Sequence, residues 1–101
     1  MNLLNDIMHD GSRNFVLLPV GKISPIKLVF RIFTLRGAYP TGYIPSFNES
    51  WIDFRYKGQK FSINNQYGDY WFFAKNSECP ESLLKEISVH FAKFLNETNS
   101  K

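Results

Sequence analysis

The chain has 101 residues, 44% hydrophobic and 21% charged, which fits one globular domain and excludes both wholesale disorder and two independent cores. Twelve basic against nine acidic residues give a net charge of +3, short of the lopsided balance of a dedicated nucleic-acid binder and only mildly favourable to anionic partners. A single cysteine, Cys79, excludes an internal disulfide and a Cys-rich metal site, and it fits a reducing, cytoplasmic setting.

Leu3, Leu4, Ile7 and Met8 recur at helical spacing before Gly11, predicting a short N-terminal helix or a docked arm. Asp6 and Asp10 in this stretch, with no basic leader and long apolar run, speak against a signal peptide. Phe15 to Val20 is a compact apolar run containing Pro19; proline cannot donate to a ladder, so the run reads as an edge strand. The region Phe15 to Leu35 is interrupted by Lys22, Pro25, Lys27 and Arg31, so it cannot span a bilayer, and no membrane partner is expected.

Ser24-Pro25 has the chemistry of a helix start: a hydroxyl to cap, then a proline at the first helical position. Lys27, Arg31 and Thr34 then form a polar stripe, which assigns Ile26, Val29, Phe30 and Phe33 to the apolar side, with Arg36-Gly37 as the stop. Strand is the alternative for 26–36, since valine, isoleucine and phenylalanine are good β-formers. Gly37 to Ser50, with Pro40, Gly42 and Pro45 among Tyr39, Tyr43, Ile44 and Phe47, shows no sustained period and reads as a long loop.

From Trp51 the pattern sharpens. Ile52, Phe54 and Tyr56 alternate with Asp53, Arg55 and Lys57, the period of a strand with one buried face. Gly58-Gln59 turns the chain, Lys60 to Asn65 returns, Tyr67-Gly68 turns again and Asp69 to Lys75 forms a third strand, an antiparallel meander. From Pro80 to about Leu95, Leu84, Ile87, Phe91 and Phe94/Leu95 line one side of an amphipathic helix, and the tail from 96 to 101 frays. The expected fold is therefore one α+β domain in the order β-α-β-β-β-α, an antiparallel sheet with its helices on one face.

Two-residue turns pair Lys57 with Lys60, Arg55 with Ser62 and Asp53 with Asn64, then Lys60 with Lys75, Ser62 with Phe73 and Asn64 with Trp71. Ile52, Phe54, Tyr56, Phe61, Ile63, Tyr70, Phe72 and Ala74 share the side under the helices. The opposite side collects Trp51, Arg55, Lys57, Lys60, Trp71, Phe73 and Lys75, and these are the candidate partner-binding residues. Aromatic side chains supply contact area and the cations supply steering and charge pairing, as in a recognition surface. The competing reading is that the N-terminal arm or the 37–50 loop covers these rings.

Groups for catalysis are sparse. Cys79 and His90 are separated by roughly 16 Å along a helix at 1.5 Å per residue, too far for a dyad within one subunit. No His/Cys/Asp cluster has metal spacing and no glycine pattern forms a phosphate loop, so neither a metal nor a cofactor is expected and the chain reads as a binding protein rather than an enzyme.

Over Ser24 to Leu95 the helix–meander–helix order resembles double-stranded-RNA-binding domains. Their final helix opens on lysines that grip phosphates, whereas this one opens on Cys79-Pro80-Glu81-Ser82. In size, α+β make-up and the stretch Gly58 to Asn76, GQKFSINNQYGDYWFFAKN, followed by CPESLLKEISVHF, the chain resembles the small immunity proteins that bacteria pair with toxins. That resemblance implies direct inhibitory binding to a toxin domain; its basic charge departs from the acidic inhibitors of basic nucleases and suits an acidic partner. Nucleic-acid binding through the same face is the alternative, and self-pairing into a homodimer is open.

Overall fold

The computed structural model describes residues 3–21, 23–45, 50–65 and 68–99, with the backbone alone at 94 and 96–99. Lys22, Phe47, the Tyr67 end of the second turn and the Phe94 side chain, all used above, lie outside the described residues.

Six antiparallel strands form one open sheet. They are β1 (Asp6–Ile7), β2 (Arg13–Pro19), β3 (Ala38–Ile44), β4 (Trp51–Tyr56), β5 (Gln59–Asn64) and β6 (Asp69–Ala74), with helices α1 (Pro25–Ile32) and α2 (Glu81–Asn99). The spatial order is β1-β2-β6-β5-β4-β3. After β2 the chain crosses through α1 to the far edge, then meanders strand by strand back to β2. The α+β class with helices over one face is as the sequence predicts.

One open alternative closes and four sequence expectations change. β2, expected at the sheet edge because of Pro19, lies between β1 and β6. Residues 6–7 form a strand that pairs with Asn14 and Arg13, so the N-terminal segment is a docked arm and not a helix. Residues 38–44, expected as loop, pair with β4, and a bulge between Pro40 and Gly42 breaks the alternation that would have revealed a strand. α2 continues to Asn99, past the point where fraying was expected. The last correction is the face of α1. It starts as predicted, with the Ser24 hydroxyl accepting from the Lys27 amide and Pro25 in the first turn, but Leu28 and Ile32 are its buried residues. Ile26, Phe30 and Phe33 are exposed. The helix carries apolar side chains on two sides, and only docking decides which one the sheet takes.

The core lies between the sheet and the two helices. Ile52, Phe54, Tyr56, Phe61, Ile63, Tyr70, Phe72 and Ala74 are all buried on this side, as the alternation requires, and α2 closes over them with Leu84, Ile87, Phe91 and Leu95. Phe91 sets its ring 5.2 Å from Phe72 and 6.1 Å from Phe54. Polar groups here are satisfied locally: the Tyr70 hydroxyl donates to the Ile23 carbonyl, Ser88 donates to the Leu84 carbonyl and Asn14 to the Phe72 carbonyl. An ion pair between Arg13 of β2 and Glu81 fastens the start of α2 to the sheet, which suits the positive end of the helix dipole.

Candidate functional site

The sheet face away from the helices is organised in rows. Strand pairing places Leu17, Trp71, Asn64, Trp51 and Ile44 side by side across five strands. The next row along the strands holds Phe73, Ser62, Asp53 and Gly42. The third holds Lys75, Lys60, Arg55 and Tyr39, with the Lys75 amide donating to the Lys60 carbonyl at 3.0 Å. An apolar row and a cationic row thus stand four residues apart, about 13 Å at the rise of an extended strand.

Short side chains on β5 shape the apolar end. With only Asn64 and Ser62 beneath them, Trp51 of β4 and Phe73 of β6 reach over β5 and stack, ring centres 6.0 Å apart at 29°. Trp71 continues the cluster 6.4 Å from Phe73. The β1–β2 turn curls beside it, so that Met8, His9 and Asp10 wall a cavity of about 540 Å³ floored by Trp51, Trp71 and Phe73. The arm forms that wall and leaves Trp51 38% exposed, with Trp71 and Phe73 half-buried and Leu17 and Ile44 exposed. Asp10 accepts from the Ser12 hydroxyl at 2.7 Å and the Ser12 amide at 3.0 Å. These bonds, helped by the Lys75 cation, hold its carboxyl below the usual carboxylate range.

The cationic end opens into a second cavity of about 440 Å³ lined by Thr41, Asp53, Arg55, Lys60, Ser62 and Lys75. Asp53 accepts from the Ser62 hydroxyl at 2.7 Å, and Gly42 opposite leaves it room, since a Cβ there would stand 3.3 Å from its Oδ2. Arg55 and Lys60 are directly opposed on neighbouring strands, a like-charge pair that costs roughly 0.2–1 kcal/mol with nothing between them. The Arg55 Nε is shielded from water and has no hydrogen-bond partner among the described residues, an arrangement that costs the desolvation of that donor.

Of the seven predicted binding residues, Trp51, Arg55, Lys60, Trp71, Phe73 and Lys75 share this face, and Lys57 does not. The hairpin turns at Lys57-Gly58, both with positive φ (50° and 80°), so Tyr56 pairs with Gln59 and Arg55 with Lys60. The expected register was two residues off, a shift that preserves which side chains share a face. Lys57, placed in the turn, bends to the helix side, where its Nζ meets Glu86 Oε1 at 3.2 Å and raises the pKa of the ammonium. Glu86 also accepts from the Tyr56 hydroxyl at 2.6 Å, which leads the causes that lower its own pKa. The sequence reading missed Leu17, Tyr39 and Ile44. Leu17 sits in a uniformly apolar run with no alternation to read, and the other two lie either side of the bulge.

Cys79 is buried, and burial pushes its thiol pKa up, the reverse of activation. The Thr34 hydroxyl donates to the Arg31 carbonyl at 2.6 Å, so its contact with His90 Nε2 at 2.9 Å assigns that nitrogen as the donor. Burial lowers the His90 pKa. Among the described residues no group of three or more His, Cys, Asp or Glu could hold a metal ion. No protein-family model matches the chain, and no curated protein and no solved structure matches it.

Proposed function

We propose that the chain is a non-catalytic protein-binding module that takes an acidic protein surface on the open sheet face, acting as an immunity-type inhibitor of a bacterial toxin domain. The observation that carries the reading is the division of one solvent-facing sheet surface into an aromatic row and a cationic row. Desolvated aromatic area supplies the anchor, while Arg55, Lys60 and Lys75 steer and pair with carboxylates. A partner that fits offers an apolar side chain and acidic groups about 13 Å apart, the distance between the two rows. The toxin assignment rests on the sequence resemblance; the sheet face supports the protein-binding part.

A nucleic acid would use the same face by stacking on Trp71 and Phe73. Asp53 in the middle row and Asp10 in the wall place carboxylates along any backbone path, and the three remaining cations would give a salt slope of only about 2 to 3.

The test compares affinity capture by wild type, Trp71→Ala, Lys60→Glu/Lys75→Glu and, as a control on the helix side, Lys85→Ala. The expected result is a toxin-domain protein retained by wild type and control and lost by both face variants. Retention of mixed RNA or DNA at low ionic strength, released by salt, would replace the proposal with the nucleic-acid reading.

A further inference from the structure

The outward side of α1 carries a surface that the sheet face does not use. Ile26, Phe30 and Phe33 are 46%, 66% and 60% exposed. At positions i, i+4 and i+7 they fall within an arc of roughly 60° at 100° per residue and along about 10 Å of helix. Leu28 and Ile32 hold the helix to the sheet from the opposite side, so the stripe points away from the domain. Single exposed apolar residues are ordinary; an ordered row of two phenylalanines and an isoleucine on one short helix needs a reason.

The charges that α1 and its end bring beside the stripe have one sign. Lys27 and Arg31 are exposed on the adjoining strip of α1, and Arg36 follows it. Residues 23–45 contain Lys27, Arg31 and Arg36 and not one carboxylate. Beyond the bond between Thr34 and His90, α2 adds exposed Val89, Lys85 and Lys93 around a shallow cavity with Leu35. The carboxylate lining that cavity, Glu86, is already engaged by Tyr56 and Lys57.

We infer that this face rests on an anionic lipid bilayer, with Ile26, Phe30 and Phe33 entering the boundary between headgroups and acyl chains and Lys27 and Arg31 meeting lipid phosphates. A second copy fits worse, because a two-fold axis would bring this cation-flanked patch against the same patch of the other copy. A protein groove takes apolar anchors at this same helical spacing; the cations that flank the stripe are what favour an anionic lipid surface. Surface contact is distinct from spanning: no helix among the described residues is long and apolar enough to cross a membrane. The expectation of no membrane partner came from the lack of a spanning run, which does not bear on a contact of this kind. The inference is independent of the sheet face, which lies on the other side of the domain.

The test is flotation of the full chain with phosphatidylcholine vesicles, with and without about one-third phosphatidylserine, at low and high salt. Wild type is expected to float with the anionic vesicles only, and to be released by salt. Phe30→Ser and Phe33→Ser should each lower partitioning about tenfold. Lys27→Gln/Arg31→Gln should lower it about 25-fold, about five-fold per cation. Trp71→Ala should leave it unchanged. All these side chains are at least partly exposed, and thermal melts of each variant check that the fold is kept. Failure of wild type to float, or equal flotation of the Phe30 and Phe33 variants, overturns the inference. A dimer in sedimentation equilibrium that Phe30→Ser dissociates also overturns it and assigns the stripe to a second copy.

Discussion

Adjacent residues of β6 give a direct test of the strand pairing on which the candidate site depends. Phe72 is fully buried, with ring contacts to Phe15 at 6.2 Å and Phe91 at 5.2 Å, so Phe72→Ala removes a core ring and leaves a cavity. Such changes cost about 3–5 kcal/mol. Phe73, one residue on, is half-buried on the open face and touches only Trp51 and Trp71 among the ring contacts described. Two aromatic pairs at about 0.5–1.5 kcal/mol each, partly offset because the remaining rings can close on each other, put Phe73→Ala at about 1–2 kcal/mol. A domain of this length has roughly 5–15 kcal/mol in total, and 1 kcal/mol moves Tm by about 4–8 °C. Phe72→Ala should therefore lose on the order of 20 °C and Phe73→Ala about 10 °C or less. Thermal melts followed by circular dichroism read both shifts, and urea unfolding at fixed protein concentration reads the two free-energy losses. Equal losses, or a larger one at Phe73, would mean that the face assigned to partner binding is the core.

Three further outcomes follow from single features. Gly58 has φ near +80° with open space where a Cβ would go, so Gly58→Ala should cost about 1–2 kcal/mol through backbone strain alone, measured by the same urea titration. Cys79, buried and with a raised pKa, should react with a disulfide reagent at neutral pH at least tenfold more slowly in the native state than in urea; native reactivity matching the unfolded chain would refute its placement. Glu81 and Glu86 have folded pKa values depressed by Arg13 and by Tyr56 with Lys57. Their contribution is complete above the unfolded carboxylate value and disappears as pH falls through the folded values. Tm should drop below about pH 4.5, and Glu86→Gln should flatten that drop, which a series of melts from pH 7 to pH 3 would show.

The meander was legible because its strands are buried on one face only. Alternation from Ile52 to Tyr56 and from Tyr70 to Ala74 is a backbone period written directly in residue type, and it placed Trp51, Trp71, Phe73, Arg55, Lys60 and Lys75 together. It withstood a two-residue error at the hairpin because the pleat repeats every two residues. Lys57 was lost to the same error: the turn claimed it, and Glu86, distant in sequence, bent it the other way. β3 was hidden by a bulge at Pro40 to Gly42, which interrupts the period and so erases the signal.

Local periodicity and capping chemistry therefore settle in advance that this chain makes an antiparallel meander flanked by helices, and which side chains travel together on each sheet face. They do not settle which of two apolar sides of α1 meets the sheet, since Leu28 with Ile32 and Ile26 with Phe30 and Phe33 are equally helical in spacing. Nor do they bring Leu17, Trp71, Trp51 and Ile44 into one row. Those outcomes depend on packing between segments far apart in the chain, whose energy is a property of the assembled layers and is carried by no single stretch of residues.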